Sequence, residues 1–249
     1  MVMRVEPFNV DSVVHVLKRG GRGMDIVRDE SDRWRFVRIL YLLNDEYQDP
    51  SRQDRFRTDV AEVASQTRNL GSSLFHRPEH WPQREPLVSV LAWTLMPNHA
   101  HLLLQEIREG GVSKFMQRLG CSMSNAFNQK YEEKGSIFQG AYKSRTVNTD
   151  SYLRYVLPYI TVKNVFELFP GGLSSALKDF ESAWQWASTY PFSSFQTHAF
   201  GGRSPIIDHE RLSDLGIRSG TSFKRLARDM IFAHVALRKD FSLIMLEDW

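Results

Sequence analysis

Apolar positions along the chain repeat with two periods, and the switches between them predict the elements. Residues 11–19, Asp-Ser-Val-Val-His-Val-Leu-Lys-Arg, are rich in β-branched side chains and predict a first strand, followed by the turn Gly20-Gly21-Arg22-Gly23. Trp34, Phe36, Val37, Leu40, Tyr41 and Leu43 then recur at mostly helical spacing, and Asp29-Glu30-Ser31-Asp32 supplies an N-cap and first-turn acids for that packing helix. From Gln48 to Pro86 the pattern dissolves into polar, proline-punctuated sequence. This predicts an insertion over about residues 48–86, with one short helix near Asp59–Arg68. Order returns in Leu87–Met96, a strand. Pro97-Asn98 makes a turn, and Ala100–Ile107 forms a second strand with His99 and His101 at its start.

Beyond Gly110-Gly111 a long helix is predicted from Val112 to about Glu133, with Phe115, Leu119, Met123, Ala126 and Phe127 on its core face. Lys114, Gln117, Arg118, Ser122, Asn125, Asn128, Gln129 and Lys130 occupy the other side, suited to phosphate or base contacts and equally to solvent. Gly135–Thr146 predicts another strand, and Asn148-Thr149-Asp150 caps a helix beginning at Ser151. An amphipathic helix follows over Ala176–Ser188, and a helical segment around Phe223–Leu237 carries Lys224, Arg225 and Arg228. The expected fold is α+β: a ferredoxin-like antiparallel sheet with helices packed on it, followed by a C-terminal helical extension over 199–249.

A hydrophobic fraction of 42% in 249 residues is enough to build a core. No apolar run reaches membrane-spanning length and the N-terminal residues lack a secretory-type hydrophobic stretch, so a cytoplasmic protein without a membrane partner is expected. Cys121 is the single cysteine, which excludes an intramolecular disulfide and a cysteine-rich zinc site. The net charge of +3 argues only weakly for a nucleic-acid partner. Distribution says more: nine basic residues face four acidic ones between Arg108 and Lys163, a local excess suited to phosphate contacts.

Chemistry concentrates in the stretch Trp93–Gln105. Alternation in a strand puts His99 and His101 on one face, where two imidazoles can hold a divalent metal; two hydrogen-bonded histidines in a half-buried strand would have the same spacing. His76 and His80 fall in the insertion without a periodic partner and are not expected to be ligands. Tyr152, Tyr155 and Tyr159 sit on one predicted helix, and spacing alone does not choose among them.

Met-Pro-Asn-His-Ala-His-Leu-Leu-Leu resembles the histidine–hydrophobic–histidine motif of the single-tyrosine HUH transposases, the insertion-sequence-200-like and REP-associated tyrosine transposases. Other segments share the likeness. His15 with Arg19-Gly20 resembles the family's opening strand. Phe138, Gly140, Tyr142 and Lys143 match a later strand in which Ala141 replaces an arginine, and Tyr190-Pro-Phe-Ser-Ser-Phe195 resembles an element after the catalytic helix. The likeness runs from about residue 11 to about 198, giving a transposase-like domain over 1–198.

The resemblance implies that His99 and His101 hold Mg²⁺ or Mn²⁺ and that Tyr159 is the nucleophile. It implies cleavage and rejoining of single-stranded DNA bearing hairpins through a 5′-phosphotyrosine, and a homodimer is possible. The family's Asn-Pro after the tyrosine is replaced here by Lys163-Asn164. Lys163 stands beside Tyr159 at helical spacing, either neutralising phosphate or repelling the metal. Asn164 supplies a ligand if the helix is distorted near Pro158. Lys18, Arg19, Arg22, Lys114, Arg118, Lys143 and Arg145 are the candidate DNA contacts. Two rivals remain: a catalytically impaired hairpin DNA- or RNA-binding protein derived from such an enzyme, and a metalloprotein of other chemistry. Ser193 and Ser194 are read as capping residues.

Overall fold

Valines and leucine alternate with His15 and Lys18 in β1 (Val13–Arg19), and both edges of that strand are paired. The computed structural model describes residues 8–47, 59–62 and 75–236. After β1 come α1 (Glu30–Leu42), β2 (Val88–Leu95), β3 (His99–Glu106), α2 (Gly111–Tyr131) and β4 (Lys143–Val147). The strands pair antiparallel in the order β2-β3-β1-β4, so the chain follows the β-α-β-β-α-β path of a ferredoxin-like sheet. Asp29 caps α1 as its acidic run predicts, its side chain accepting from the Asp32 N–H while the Asp32 carboxylate accepts from the Asp29 N–H.

Register decides which side chains share a face, because residues directly opposite in an antiparallel ladder project to the same side. Leu17 faces His101, Arg19 faces His99, His15 faces Arg145 and Leu17 also faces Lys143. One face of the sheet therefore carries His15, Arg19, His99, His101, Lys143 and Arg145. Lys18, opposite Ala100, points to the other face, where α2 packs so closely that a Cβ on Gly120 would lie 3.3 Å from Lys18 Cε.

The histidine face is covered by the rest of the chain. From β4 it enters α3 (Asp150–Pro158), whose N-cap is Thr149, then a π-helical turn (Tyr159–Lys163) and α4 (Asn164–Glu167). Beyond lie α5 (Gly172–Lys178), α6 (Phe180–Ala187), α7 (Phe195–Phe200), α8 (His209–Asp214) and α9 (Thr221–Ala236). Their apolar side chains, from Phe180 and Trp184 to Phe223 and Ile231, join the same buried cluster as the strands. No helix among the described residues is long and apolar enough to cross a membrane.

Three expectations need correction. Of the strand predicted over Gly135–Thr146 only Lys143–Val147 forms, because Gly135 (φ 90°) and Gly140 (φ 150°) bend the chain into a loop that meets the end of β1 through an isolated Gly20–Phe138 bridge and a bond from the Gln139 N–H to the Arg19 carbonyl. The helix predicted over Ala176–Ser188 is two helices, α5 and α6, broken at Asp179, whose side chain turns back to cap Ser182. Ser194 precedes α7, yet its hydroxyl accepts from the Trp93 N–H across to β2 instead of capping. Of the short helix expected in the insertion only 59–62 is described and helical; the rest of that stretch lies outside the described residues.

Candidate active site

The turn before β3 sets the first imidazole. Asn98 donates its Nδ2 to the Gly23 carbonyl (3.3 Å), which leaves its Oδ1 facing His99 Nδ1 at 2.6 Å. A carboxamide oxygen only accepts, so the His99 proton sits on Nδ1 and Nε2 carries the lone pair. His101, fully buried, meets His15 through Nδ1 to Nε2 at 2.9 Å. With His101 Nδ1 as donor, its Nε2 is likewise the lone-pair nitrogen. Such partners orient a metal-binding imidazole in the way a second hydrogen-bonding shell commonly does. The His99 and His101 rings stand 4.9 Å apart and nearly perpendicular.

The tyrosine helix comes down on this pair. Tyr159 lies with its ring centroid 5.8 Å from His101 and 6.1 Å from His15, edge-on to both. Its carbonyl accepts the Asn164 N–H in an i-to-i+5 bond, the mark of a π turn. Threonines hold that turn: Thr94 on β2 donates to the Ile160 carbonyl (2.6 Å), and Thr161 donates to the Leu157 carbonyl (2.8 Å). The distortion expected from Pro158 is therefore present.

Asn164 is fully buried, and neither its Oδ1 nor its Nδ2 has a hydrogen-bond partner among the described residues. An unsatisfied buried amide is costly, about 1–3 kcal/mol per group, which favours a role as ligand. Two imidazoles and one amide oxygen suit Mn²⁺ well and Mg²⁺ when phosphate and water oxygens complete the shell. Among the described residues no group of three or more His, Cys, Asp or Glu side chains comes together as a metal site.

Lys163 is buried; its ammonium sits 4.6 Å from the Tyr159 ring centroid and pairs with Glu167 at 2.8 Å. Tyr155 stacks on Tyr159 at 5.9 Å, and its hydroxyl lies 2.7 Å from Nδ1 of His234 on α9. Tyr159 itself is only 1% exposed beneath these groups. Tyr152 stands apart from this cluster, its ring under the Arg145 guanidinium.

The candidate DNA contacts separate by position. Arg19, Lys143 and Arg145 share the histidine face, and Arg22 is exposed on the turn beyond β1. Lys18 is on the opposite face, bonded to the Gly140 carbonyl, and burial lowers its pKa. Lys114 pairs with Glu46 at 2.5 Å, and Arg118 donates to the Asp45 carbonyl, both at the far end of α1. In the insertion, His80 pairs with Asp59, away from the paired histidines. Sequence reasoning left His15 without a role and missed His234 altogether. A histidine on the buried stripe of α9 was the only signal for the latter.

Two comparisons with known proteins give a match. A family model described as "Transposase IS200 like" matches residues 83–163, which span β2, the paired histidines, α2, β4, the three tyrosines and Lys163. β1 with His15 and the Tyr190–Phe195 element lie outside that match. No curated protein matches the chain. A solved structure of the REP-associated tyrosine transposase bound to a REP hairpin aligns with 84% of this chain and 92% of its own, at 13% identity and a TM-score of 0.41. Through residues 83–163, about a third of its length, the chain is similar to the IS200-like transposases.

Proposed function

We propose that the protein is a metal-dependent DNA strand transferase that cleaves and rejoins single-stranded DNA through Tyr159. The observation that carries this reading is the placement of the Tyr159 ring 5.8 Å from His101, on the sheet face that also holds His99, Arg19, Lys143 and Arg145. His99 and His101, with Asn164, would hold the cation, which supplies Lewis-acid polarisation of the scissile phosphate. Arg19, Lys143 and Arg145 hold the phosphate backbone against the sheet. The Tyr159 oxygen attacks phosphorus in line and loses its proton. The bond to the 3′ oxygen breaks, that oxygen takes up a proton, and a 5′-phosphotyrosine remains. Attack of another 3′-hydroxyl on that linkage breaks the bond from phosphorus to the Tyr159 oxygen, which takes up a proton as it leaves, and so rejoins the strand without ATP. Lys163 places a cation beside the phenolic ring, where negative charge gathers during the exchange.

Burial of Tyr159 and pairing of Lys163 with Glu167 favour a second reading, a hairpin-binding protein that no longer cuts. One experiment separates the two. Purified protein is incubated with hairpin-bearing single-stranded DNAs and Mn²⁺ or Mg²⁺, and denaturant-resistant adducts are scored for wild type, Tyr159→Phe and Tyr155→Phe. Adducts that need metal and Tyr159 support the transferase. Binding without adduct, on a pool that a working relative cleaves, supports the non-cutting binder.

A further inference from the structure

Lys18 and Arg19 are neighbours on β1 that project to opposite faces of the sheet. Arg19 lies on the histidine side. On the other side the Lys18 ammonium donates to the Gly140 carbonyl (2.8 Å) and rests 4.6 Å from the Phe138 ring centroid. There a cavity of about 560 Å³ opens between the polar face of α2 and the loop 135–142. Its walls set amides and rings among apolar groups: Gln117, Asn125 and Asn128 with Met116 from α2, and Phe138 and Tyr142 from the loop.

That composition selects a ligand class. No carboxylate or imidazole is among the described residues lining the cavity, so it is not built for a metal. Lys18 is the only cation among them and is already engaged, so it is poorly built for phosphate, which calls for several cations. Amides that read a base edge, beside aromatic faces that take its plane, are the means by which proteins hold an unstacked nucleobase. The volume lies within the usual range for small-ligand pockets and accommodates one nucleotide.

Asn128 fixes the shape of the cavity. Its Nδ2 donates to the Gly135 carbonyl at 2.7 Å, whereas its Oδ1 is buried with no hydrogen-bond partner among the described residues. The bond holds the α2 wall of the cavity to its loop wall.

We infer that this cavity receives one unstacked nucleobase of the DNA while the backbone turns around the end of β1 toward His99. This rests on the strand-transfer reading above. Continuity favours it: the Gly20–Phe138 bridge ties the cavity loop to the end of β1, next to the residue that faces His99.

The test uses Cys121, exposed at the cavity and the only cysteine in the chain. Its alkylation by iodoacetamide is timed on the whole protein alone, with a hairpin carrying unpaired flanking bases, with the same oligonucleotide made abasic at those positions, and with a blunt duplex. DNA binding is followed in parallel by fluorescence anisotropy. The unpaired bases should slow alkylation while the abasic strand and the duplex do not. Gln117→Ala and Asn125→Ala, at exposed helix positions that tolerate alanine, should together weaken binding of the unpaired strand by about tenfold and leave duplex binding unchanged. Equal protection by the abasic strand would overturn the assignment to a base. DNA binding with unchanged Cys121 reactivity and wild-type affinity in the double variant would overturn the site while leaving the strand-transfer reading standing. Absence of both DNA binding and tyrosine adducts would overturn both.

Discussion

His15 shows how one residue gains a role that its own neighbourhood does not announce. The pair His99 and His101 was legible because strand alternation is local, but the partner that orients His101 lies 86 residues away and becomes visible only when β1 and β3 pair. Replacing His15 with Ala removes that hydrogen bond from a fully buried ring. Mn²⁺ affinity, followed by isothermal titration, should fall by about 10- to 100-fold, the usual cost of losing such a partner. Unchanged affinity would mean that His101 is held by packing alone.

His198 carries a different consequence. Burial holds its pKa down at about 4, against an ordinary 6.5, opposed by its bond to the Leu91 carbonyl at 3.1 Å. The unfolded chain takes up a proton near pH 6.5 while the folded one stays neutral until about pH 4. Stability therefore falls as pH drops through that window, by about 1.4 kcal/mol per pH unit. Urea midpoints at pH 7 and pH 5 should converge in His198→Phe relative to wild type; an equal drop in both would assign the acid sensitivity to other groups.

At the scale of the element, the π turn Tyr159–Lys163 was half legible. Pro158 removes a helix hydrogen bond and so marks where a distortion can begin, but only the tertiary partner fixes which one forms. Thr94 on β2 is that partner, its hydroxyl meeting the Ile160 carbonyl at 2.6 Å. The carbonyl is buried beside the tyrosine, so Thr94→Val should cost about 1 kcal/mol of stability and should slow Tyr159 adduct formation by more than the stability loss explains. A variant with a lowered Tm and a wild-type adduct rate would show that the turn keeps its shape without Thr94. Similar physics explains the shortened β4. The sequence Gly135–Thr146 has strand composition, but two glycines at positive φ let the loop close over Lys18 and deny the ladder its first half.

For the whole molecule the path of the elements was legible in outline from the alternating and helical periods, whereas the sheet order, with β3 and β1 central and β2 at an edge, was not. The distribution of charge was not, since sequence cannot say which cations the fold has already paired. The basic excess between Arg108 and Lys163 looks uniform along the chain, yet folding divides it. Lys114 and Arg118 are drawn to Glu46 and Asp45, and Glu46 is in turn held below its ordinary pKa, chiefly by its bond to Lys114. Lys143 and Arg145 stand on the histidine face, opposite Leu17 and His15 on β1.

Only cations that neutralise phosphate release counterions, and each contributes about 0.7 to the slope of log affinity against log salt for a single strand. Arg145→Gln and Lys143→Gln should each lower that slope by about 0.7 and weaken binding across sequences alike. Lys114→Gln, whose ammonium is already neutralised within the fold, should leave the slope unchanged. Anisotropy titrations of one hairpin strand over a range of salt concentrations decide the matter. A slope that falls for Lys114→Gln and not for Arg145→Gln would move the DNA path off the histidine face and onto α2, with the strand running far from Tyr159.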